Sequence, residues 1–307
     1  MSGKSWAIFG PTGGGKTEAA LALAERFPLE VVGLDSRQLY IGMDIGTAKP
    51  TEAQRARVPH HMIDVITPDV RWDAMTYARA ARPVIDEITA RGRRALIVGG
   101  SGFYFAALAG ELNEDLPPRD EALRARLRVE AEVIGSPGLW ERLREHDAAT
   151  AARLHPQDMS RIIRALEILS LTGTTLGERA RTAPPVRWGD WSVIVLAPPR
   201  DRLKALIRRR VTRMIREGWA EEVRRLLHAG HDESHPGMSS LGYPEMIEHV
   251  RGIMPAEEAV ARIAQRTWQY ARRQLTWFRR FPAERWIATD DPLAAAERAA
   301  SLLDRRG

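Results

Sequence analysis

The sequence feature that most constrains the fold of this chain is a glycine-rich segment between a predicted strand and a predicted helix. Residues 10–17 read GPTGGGKT and satisfy the pattern G-x-x-x-x-G-K-[ST]. The short apolar run 6–9 precedes the segment, and residues 17–26 follow it with the apolar spacing of a helix. Glycines let several backbone N–H groups converge on an anion, and a helix N-terminus adds the positive end of its dipole. The segment therefore predicts a phosphate-binding loop.

The residues of this loop have predicted roles in holding a diphosphate or a nucleotide. Lys16 supplies a point charge to the phosphate oxygens, and the Thr17 hydroxyl is the predicted ligand of a magnesium ion, Mg²⁺. The predicted phosphate-binding residues are Gly10, Pro11, Thr12, Gly13, Gly14, Gly15, Lys16 and Thr17. The motif leaves the ligand open, because a diphosphate ester fits the same cradle as a nucleoside triphosphate such as ATP.

Alternating strands and helices predict an α/β fold that is built on a parallel sheet. Strand-like runs at residues 30–34, 95–98 and 191–196 are mostly apolar, which is typical of strands that are covered on both faces. Residues 75–91 have helical spacing and lie between two of these runs. Together with the phosphate loop, this order predicts a P-loop NTPase-like core, in which helices flank a parallel sheet.

The middle of the chain differs from its two ends and predicts an inserted all-helical domain. Residues 113–120 form a polar turn region that contains prolines, and residues 121–177 show only helical patterns. We therefore predict a core domain of residues 1–112 and 188–307, interrupted by a helical insertion at residues 113–187.

Polar residues follow two of the predicted strands. Asp35-Ser36-Arg37-Gln38 follows one strand, and a glycine turn that contains Ser101 follows another. Ligands of open α/β sheets bind at the carboxyl ends of the strands, so these segments should share one crevice with the phosphate loop. Asp35 is a candidate general base or magnesium partner, or else the cap of a following helix. Ser101 either contacts a phosphate or serves only as a turn residue.

Basic charge is concentrated in two segments. The chain has a formal net charge of +6, yet residues 200–216 carry +7 and residues 262–285 carry +6, which leaves −7 elsewhere. Such clustering indicates an anionic partner, although two solvated helix faces would give the same pattern. On a helical wheel Arg210 lies at the edge of the apolar face of its segment. We therefore predict that Arg210 reaches inward to the phosphate.

Aromatic residues interleave with arginines in the last basic segment. Trp268, Tyr270, Trp277 and Phe278 lie among five arginines. Aromatic rings beside arginines can stack nucleic-acid bases, and the same spacing also suits packing in a core. For the tryptophans we favour core packing.

Composition excludes several classes of site. The chain has no cysteine, which removes disulfides, thiolate metal sites and cysteine nucleophiles. The apolar run 6–9 is too short for a signal-peptide core, and the uncharged stretch 95–110 is shorter than the roughly 20 apolar residues of a membrane helix. We expect a cytoplasmic protein that does not associate with membranes.

Over most of its length the chain resembles the tRNA dimethylallyltransferases, also called tRNA isopentenyltransferases. The shared blocks occur in the family's order: GPTGGGKT, DSRQLYIGMDIGTAKP, VPHHMIDVITP, VGGSGFY, HPQDMSRIIRALEIL, Met214 and Gly218 before Glu222-Val223, LGYPEM and QYARRQLTWFRRF. The second and last blocks are much more specific than the phosphate loop. The resemblance implies a P-loop kinase-like fold and transfer of a dimethylallyl group from its diphosphate to N6 of the adenosine immediately 3′ of the anticodon of tRNA.

The resemblance also implies roles for individual residues. The loop would hold the diphosphate with Mg²⁺ at Thr17, Asp35 would accept the N6 proton or orient that amine, and Ser101 and Arg210 would stabilise the leaving diphosphate. The implied tRNA-binding residues are Asp35, Ser36, Arg37, Gln38, Ser101, Arg124, Ser160, Arg161, Ile162, Ile163, Arg164, Ser239, Ser240, Leu241, Gly242, Tyr243 and Pro244. The implied partners are dimethylallyl diphosphate and the anticodon stem-loop, and we expect a monomer.

Three other functions fit parts of the sequence. A small-molecule or nucleoside kinase would use the phosphate loop for ATP but leaves the two basic segments without a role. A prenyltransferase of free adenine nucleotides would not need an RNA-binding insertion. A non-catalytic RNA-binding module would not need Lys16, Thr17 and Asp35 together.

Overall fold

A computed structural model describes residues 5–304, and its centre is one six-stranded parallel sheet. The strands are β1 (Ser5–Phe9), β2 (Leu29–Leu34), β3 (His60–His61), β4 (Arg94–Gly99), β5 (Trp191–Leu196) and β6 (Trp286–Ile287). Their order across the sheet is β3-β2-β4-β1-β5-β6, and every neighbouring pair is parallel. The predicted α/β fold with a P-loop-like parallel core is confirmed.

Helices connect the strands and make up most of the rest of the described chain. They are α1 (Lys16–Ala24), α2 (Glu52–Arg57), α3 (Ala74–Ala90), α4 (Gly102–Leu108), α5 (Glu121–His146), α6 (Ala148–Ala151), α7 (Met159–Thr172), α8 (Leu176–Thr182), α9 (Arg200–Arg216), α10 (Trp219–His228), α11 (Tyr243–Val250), α12 (Ala256–Phe278) and α13 (Pro292–Asp304). Within residues 5–304, no helix is both long enough and apolar enough to span a membrane.

The chain divides into two compact units. The first contains residues 1–109 and 189–307 and holds the whole sheet, and the second contains residues 110–188. The insertion predicted at residues 113–187 falls just inside the bounds of the second unit.

The first unit holds the phosphate loop rigidly between a buried strand and a buried helix. Residues Trp6 to Phe9 of β1 are all buried, because strands lie on both sides of β1 and helices cover the sheet. Helices α1 and α13 approach each other closely through small side chains, which are Ala19, Ala20, Ala295, Ala296, Ala299 and Ala300. The loop is therefore anchored at both of its ends by packed core.

Two glycines are required where the strands reach the carboxyl edge of the sheet. A Cβ on Gly10 would lie 2.4 Å from the carbonyl oxygen of Leu196, and one on Gly99 would lie 2.0 Å from that of Leu34. A side chain at either position would push neighbouring strands apart. These contacts fix the start of the phosphate loop and of the second glycine turn at the same edge.

The second unit has its own apolar core between α5 and α7. Leu127, Leu143, Ile162 and Leu166 are buried in it. Gly135 interrupts α5 with a φ of 73°, a left-handed backbone conformation that favours glycine. The long helix is therefore two helical segments joined at a kink.

Candidate active site

The phosphate loop is closed on itself by hydrogen bonds. Gly13 and Gly15 have φ values of 77° and 78°, which side chains with a Cβ rarely adopt. The Gly14 N–H donates to the Pro11 carbonyl at 3.1 Å. The Lys16 ammonium donates to the carbonyls of Gly10 at 3.0 Å and Pro11 at 2.8 Å, so its charge lies over the loop. The loop thus holds its shape before a ligand binds.

Burial lowers the pKa of Lys16 from its ordinary value to about 8. The neighbouring Arg210 lowers it further, whereas Asp35 and Glu18 oppose the shift. A bound diphosphate would reverse this effect, because opposite charge favours the protonated ammonium. The protonation of Lys16 therefore depends on whether the loop holds an anionic ligand.

We expect the affinity for inorganic diphosphate to fall about tenfold between about pH 7 and about pH 9.5. The protonated ammonium of Lys16 is the form that binds diphosphate, and raising the pH through about 8 deprotonates Lys16 in the free protein. Calorimetric titration across this range measures the effect, and Lys16→Gln serves as the control because it binds weakly at every pH. An equal pH dependence in both proteins would contradict this role of Lys16.

Asp35 follows β2 and faces the phosphate loop. Its Oδ1 accepts the Arg37 N–H at 2.9 Å in a tight turn, and the next helix begins only at Glu52. The alternative that Asp35 caps a following helix is therefore wrong. One carboxylate oxygen holds the turn, and the carboxylate lines the crevice at the sheet edge.

Two cavities of the first unit meet at Asp35. The first, of about 520 Å³, is lined by the phosphate loop, the Gly99-Gly100 turn and Gln274. The second, of about 400 Å³, is lined by the segment 239–241 and by side chains of α12. The residues that line both cavities include Thr12, Asp35, Arg210 and Met214. A reaction between ligands in the two cavities would therefore take place beside Asp35 and Arg210.

Arg210 extends from α9 to the wall shared by the two cavities. The apolar face of α9 is buried through Leu203, Ile207, Val211 and Met214, as the helical wheel predicted. Arg210 lies beside this face and is half-buried. Burial lowers the pKa of Arg210 from its usual value, and Asp35 opposes that shift. Lys16 and Arg210 both line the first cavity, so two positive charges border the space beside the glycine-rich loop.

Ser101 lies at the start of α4 beside Tyr270. Its hydroxyl makes no capping hydrogen bond to the helix. Burial raises the pKa of Tyr270, Asp35 raises it further, and a hydrogen bond from Ser101 opposes the shift. The hydroxyl is thus directed toward Tyr270, which lines the second cavity, instead of toward its own helix.

The segment 239–244, predicted to bind tRNA, forms part of the wall of the second cavity through residues 239–241. Tyr243 is buried, and its hydroxyl donates to Glu222 at 2.7 Å. Burial and the adjacent carboxylate hold the pKa of Tyr243 well above its usual value, so the hydroxyl keeps its proton. The remaining members of the segment are Ser239, which is exposed, Leu241 and Pro244, which are half-buried, and Ser240 and Gly242, which are buried.

Sequence reasoning missed a buried carboxylate that shapes the loop 42–50. Glu222 is 1% exposed and accepts the backbone N–H groups of Asp44 at 2.7 Å, Ile45 at 2.6 Å and Gly46 at 3.1 Å. The available signal was an acid on the apolar face of α10, at helical spacing from the buried Trp219. Glu222 thereby fixes Gly46, which lines the second cavity.

A buried lysine, which sequence reasoning also missed, fixes the other end of this loop. Lys49 donates to the Tyr40 carbonyl at 2.6 Å and to Asp44 at 2.7 Å, and it also pairs with Asp64. The Lys49 side chain is buried, so removal of its carboxylate partners would leave a buried charge unpaired, which is costly. The loop is therefore tied at both ends to the core beneath the cavities.

The predicted tRNA-binding residues of the second unit differ in exposure. Arg124 is buried and donates to Glu167 at 3.1 Å, and Arg164 donates to the same carboxylate at 2.7 Å. The other members are Ser160 and Arg161, which are exposed, and Ile162 and Ile163, which lie in the core. Contacts of these residues with tRNA stay a prediction.

A magnesium ion that arrives with a diphosphate fits the first cavity. Among residues 5–304 there is no group of three or more His, Asp or Glu side chains that could hold a metal. Mg²⁺ at phosphate sites needs only one or two protein oxygens, since phosphate and water supply the rest. The Thr17 hydroxyl lines this cavity at the start of α1, so an oxygen donor of the kind that Mg²⁺ takes is present there.

The fold and the two cavities define the class of this protein as a P-loop-like α/β protein, in which the glycine-rich loop and Lys16 line one cavity and several arginines line a second. The sequence model of the IPP transferase family matches residues 38–281. The tRNA dimethylallyltransferase of Geobacter sulfurreducens is 44% identical over 285 residues, which cover 91% of this chain and 90% of that protein. The chain belongs to the IPP transferase family, and the resemblance inferred from its motifs is confirmed.

Solved structures agree with this assignment. The full-length tRNA isopentenylpyrophosphate transferase of Bacillus halodurans matches with a TM-score of 0.70 and 35% identity, over 99% of this chain and 97% of that one. The tRNA delta(2)-isopentenylpyrophosphate transferase of Staphylococcus epidermidis matches with a TM-score of 0.69 and 31% identity, over 99% and 100%. The likeness covers both units of the chain.

Proposed function

We propose that this chain transfers a dimethylallyl group from dimethylallyl diphosphate to N6 of the tRNA adenosine immediately 3′ of the anticodon, and releases diphosphate. The observation that carries the proposal is the wall shared by the two cavities, where Asp35 and Arg210 border both an anion-binding loop and a second chamber. The names of the relatives, which are tRNA dimethylallyltransferases and tRNA isopentenylpyrophosphate transferases, support it.

On the donor side, the bond between the allylic carbon and the diphosphate oxygen breaks. Negative charge then develops on the leaving diphosphate. Backbone N–H groups of the loop, Lys16 and Arg210 stabilise that charge from fixed positions, which is the most effective form of electrostatic catalysis. The Ser101 hydroxyl, beside Tyr270, is proposed to add a hydrogen bond to the leaving diphosphate.

On the acceptor side, the adenosine amine attacks the same carbon. N6 gains a bond to carbon and loses one proton, which the Asp35 carboxylate accepts. The target base must leave the anticodon stack to enter the second cavity, and a base in a loop is cheap to extrude. The apolar side chains that line this cavity, Val211, Met214, Trp219, Leu241 and Ile263, suit a prenyl chain and a flat base.

We assign Mg²⁺ to Thr17, on the fit described above. The ion would neutralise charge on the diphosphate when it is bound with that ligand. Thr17 would hold it at the start of α1, which leaves the second carboxylate oxygen of Asp35 for the N6 proton.

The basic and polar side chains around the second cavity are proposed to hold the RNA. Arg37, Arg266 and Arg273 line it, and arginine suits phosphate because its planar fork donates two hydrogen bonds. The predicted contacts from residues 36–38, 160–164 and 239–244 and from Arg124 are part of this proposal.

Mass spectrometry of RNA tests the proposed function directly. The protein is mixed with magnesium, dimethylallyl diphosphate and an unmodified anticodon stem-loop that carries adenosines 3′ of its anticodon. The RNA should gain the mass of one dimethylallyl group, and a parallel sample with ATP in place of the prenyl donor should not. Fragmentation of the product should assign the group to the adenosine next to the anticodon.

The opposite result would favour a kinase. If the RNA gained no mass while phosphate were transferred or released from ATP, the prenyl-transfer proposal would be wrong. A gain on free AMP, ADP or ATP that exceeded the gain on RNA would instead make free adenine nucleotides the acceptors.

A further inference from the structure

One face of α12 rests on both glycine turns of the anion site. Tyr270, Gln274 and Trp277 lie on this face at helical spacing. Tyr270 contacts Ser101, and a Cβ on Gly102 would lie 2.1 Å from the Trp277 ring. The middle residue, Gln274, is 7% exposed and reaches the phosphate loop itself.

Both the oxygen and the nitrogen of the Gln274 amide make hydrogen bonds to the backbone. Its Oε1 accepts the Thr12 N–H at 2.9 Å, and its Nε2 donates to the Gly100 carbonyl at 3.0 Å. The two backbone groups are 262 and 174 residues away in sequence. A Cβ on Gly100 would lie 2.1 Å from the Gln274 Nε2, so this position has to be glycine for the amide to fit.

Only an amide at this position satisfies both backbone groups. A carboxylate of the same shape would accept from Thr12 but would face the Gly100 carbonyl oxygen with a second negative oxygen. A shorter side chain would not span the distance. The amide therefore acts as a bracket between the phosphate loop and the second glycine turn.

We propose that Gln274 is a positioning residue of the diphosphate site. Its amide acts as a bracket, because its hydrogen bonds to Thr12 and Gly100 hold the phosphate loop in the conformation that binds diphosphate. A loop that is held in its binding conformation loses less entropy when the ligand arrives. The inference deepens the proposed function and depends on it for the identity of the ligand as a diphosphate.

The same bracket links the two cavities. Arg266, Tyr270 and Arg273 of α12 line the second cavity, whereas Gln274 lines the first. Through Gln274, the helix that walls the RNA-side cavity is hydrogen-bonded directly to the loop that holds the anion. Changes at Gln274 should therefore alter the diphosphate site more than the RNA site.

Calorimetric titration with inorganic diphosphate, in buffer that contains magnesium chloride, tests the bracket. We expect Gln274→Ala to bind diphosphate about 10- to 100-fold more weakly than the unchanged protein, because the loop is no longer preset. Gln265→Ala is the matched control, since Gln265 is exposed on the same helix. Thermal unfolding of each variant separates loss of folding from loss of binding.

A second variant, Gln274→Glu, provides a readout that a merely structural role would not move. Burial and the facing carbonyl raise the pKa of the introduced carboxyl, and its protonated form can again donate to Gly100. The deficit in affinity relative to the unchanged protein should shrink from about pH 8 to about pH 5.5. Lys16, Asp35 and Arg210 line the same cavity in both proteins, so the unchanged protein is measured at each pH as the reference.

The outcomes separate this inference from the proposed function. Unchanged diphosphate affinity in Gln274→Ala, or a deficit in Gln274→Glu that is constant with pH, would overturn the bracket. Failure of the unchanged protein to bind diphosphate would overturn the bracket as well. If that protein binds diphosphate but leaves the RNA unmodified, the proposed function falls and the bracket stands.

Discussion

Asp35→Asn should reduce prenyl transfer by at least about 10³-fold while it leaves binding of the anticodon stem-loop nearly unchanged. The asparagine amide oxygen can still accept the Arg37 N–H, which Oδ1 of Asp35 accepts at 2.9 Å, so the turn is kept. The variant therefore removes the proton acceptor and its charge without removing the local fold. The expected loss is that of a general base in the reaction.

Single-turnover rates and RNA affinity, measured on the same samples, check this prediction. Asp86→Asn is the control, because Asp86 is an exposed aspartate on α3 away from both cavities. Loss of RNA binding without loss of the rate at saturating RNA would show that Asp35 only binds RNA. Retention of activity within about tenfold would rule out the base role.

The core strands and the anion loop were accessible from the sequence because their signals are local. Continuous apolar runs predicted β1, β2, β4 and β5, and the glycine motif predicted the loop between β1 and α1. The two-residue strands β3 and β6 were not predicted, because two residues carry no periodicity. They are strands because they pair with β2 and β5, and their own sequences carry no strand pattern.

The residues that organise the site were harder to find because their partners are distant. Lys16, Asp35 and Arg210 were identified from a motif, a strand end and a helical wheel. Glu222 and Gln274 act on backbone groups more than 170 residues away, so no local pattern names their partners. The signs of both were a polar side chain on the buried face of a helix and a place in a block shared with the tRNA dimethylallyltransferases.

Residue spacing also failed to separate the two tryptophans of α12, Trp268 and Trp277, from a residue that lines a cavity. Core packing was favoured for both, and Trp268 packs against Leu203 and Ile207 while Arg200 stacks on its ring at 5.6 Å. Trp277 is half-buried over Gly102. Spacing alone distinguished neither from Tyr270, which lines the second cavity, because all three lie on one helix with similar neighbours.

Arg210→Met should lower kcat for prenyl transfer by about 10²- to 10³-fold with a smaller change in KM. The methionine keeps much of the arginine's apolar stem and so preserves packing beside the buried face of α9. The lost interaction is strongest when the carbon–oxygen bond breaks, because charge on the diphosphate is then greatest. Lys204→Ala, which removes an exposed positive charge from the same helix, should leave kcat unchanged.

The pH dependence of diphosphate binding gives Arg210 a second signature. Arg210 is one of the causes that lower the pKa of Lys16 to about 8, so its removal should raise that pKa toward the ordinary value of lysine. The fall in diphosphate affinity should then move to higher pH in Arg210→Met and stay in place in Lys204→Ala. If kcat fell but the pH dependence stayed where it was, Arg210 would act on the leaving group without sharing the anion site with Lys16. If neither changed, Arg210 would belong only to the wall of the cavity, and Lys16 with the loop amides would have to stabilise the leaving diphosphate alone.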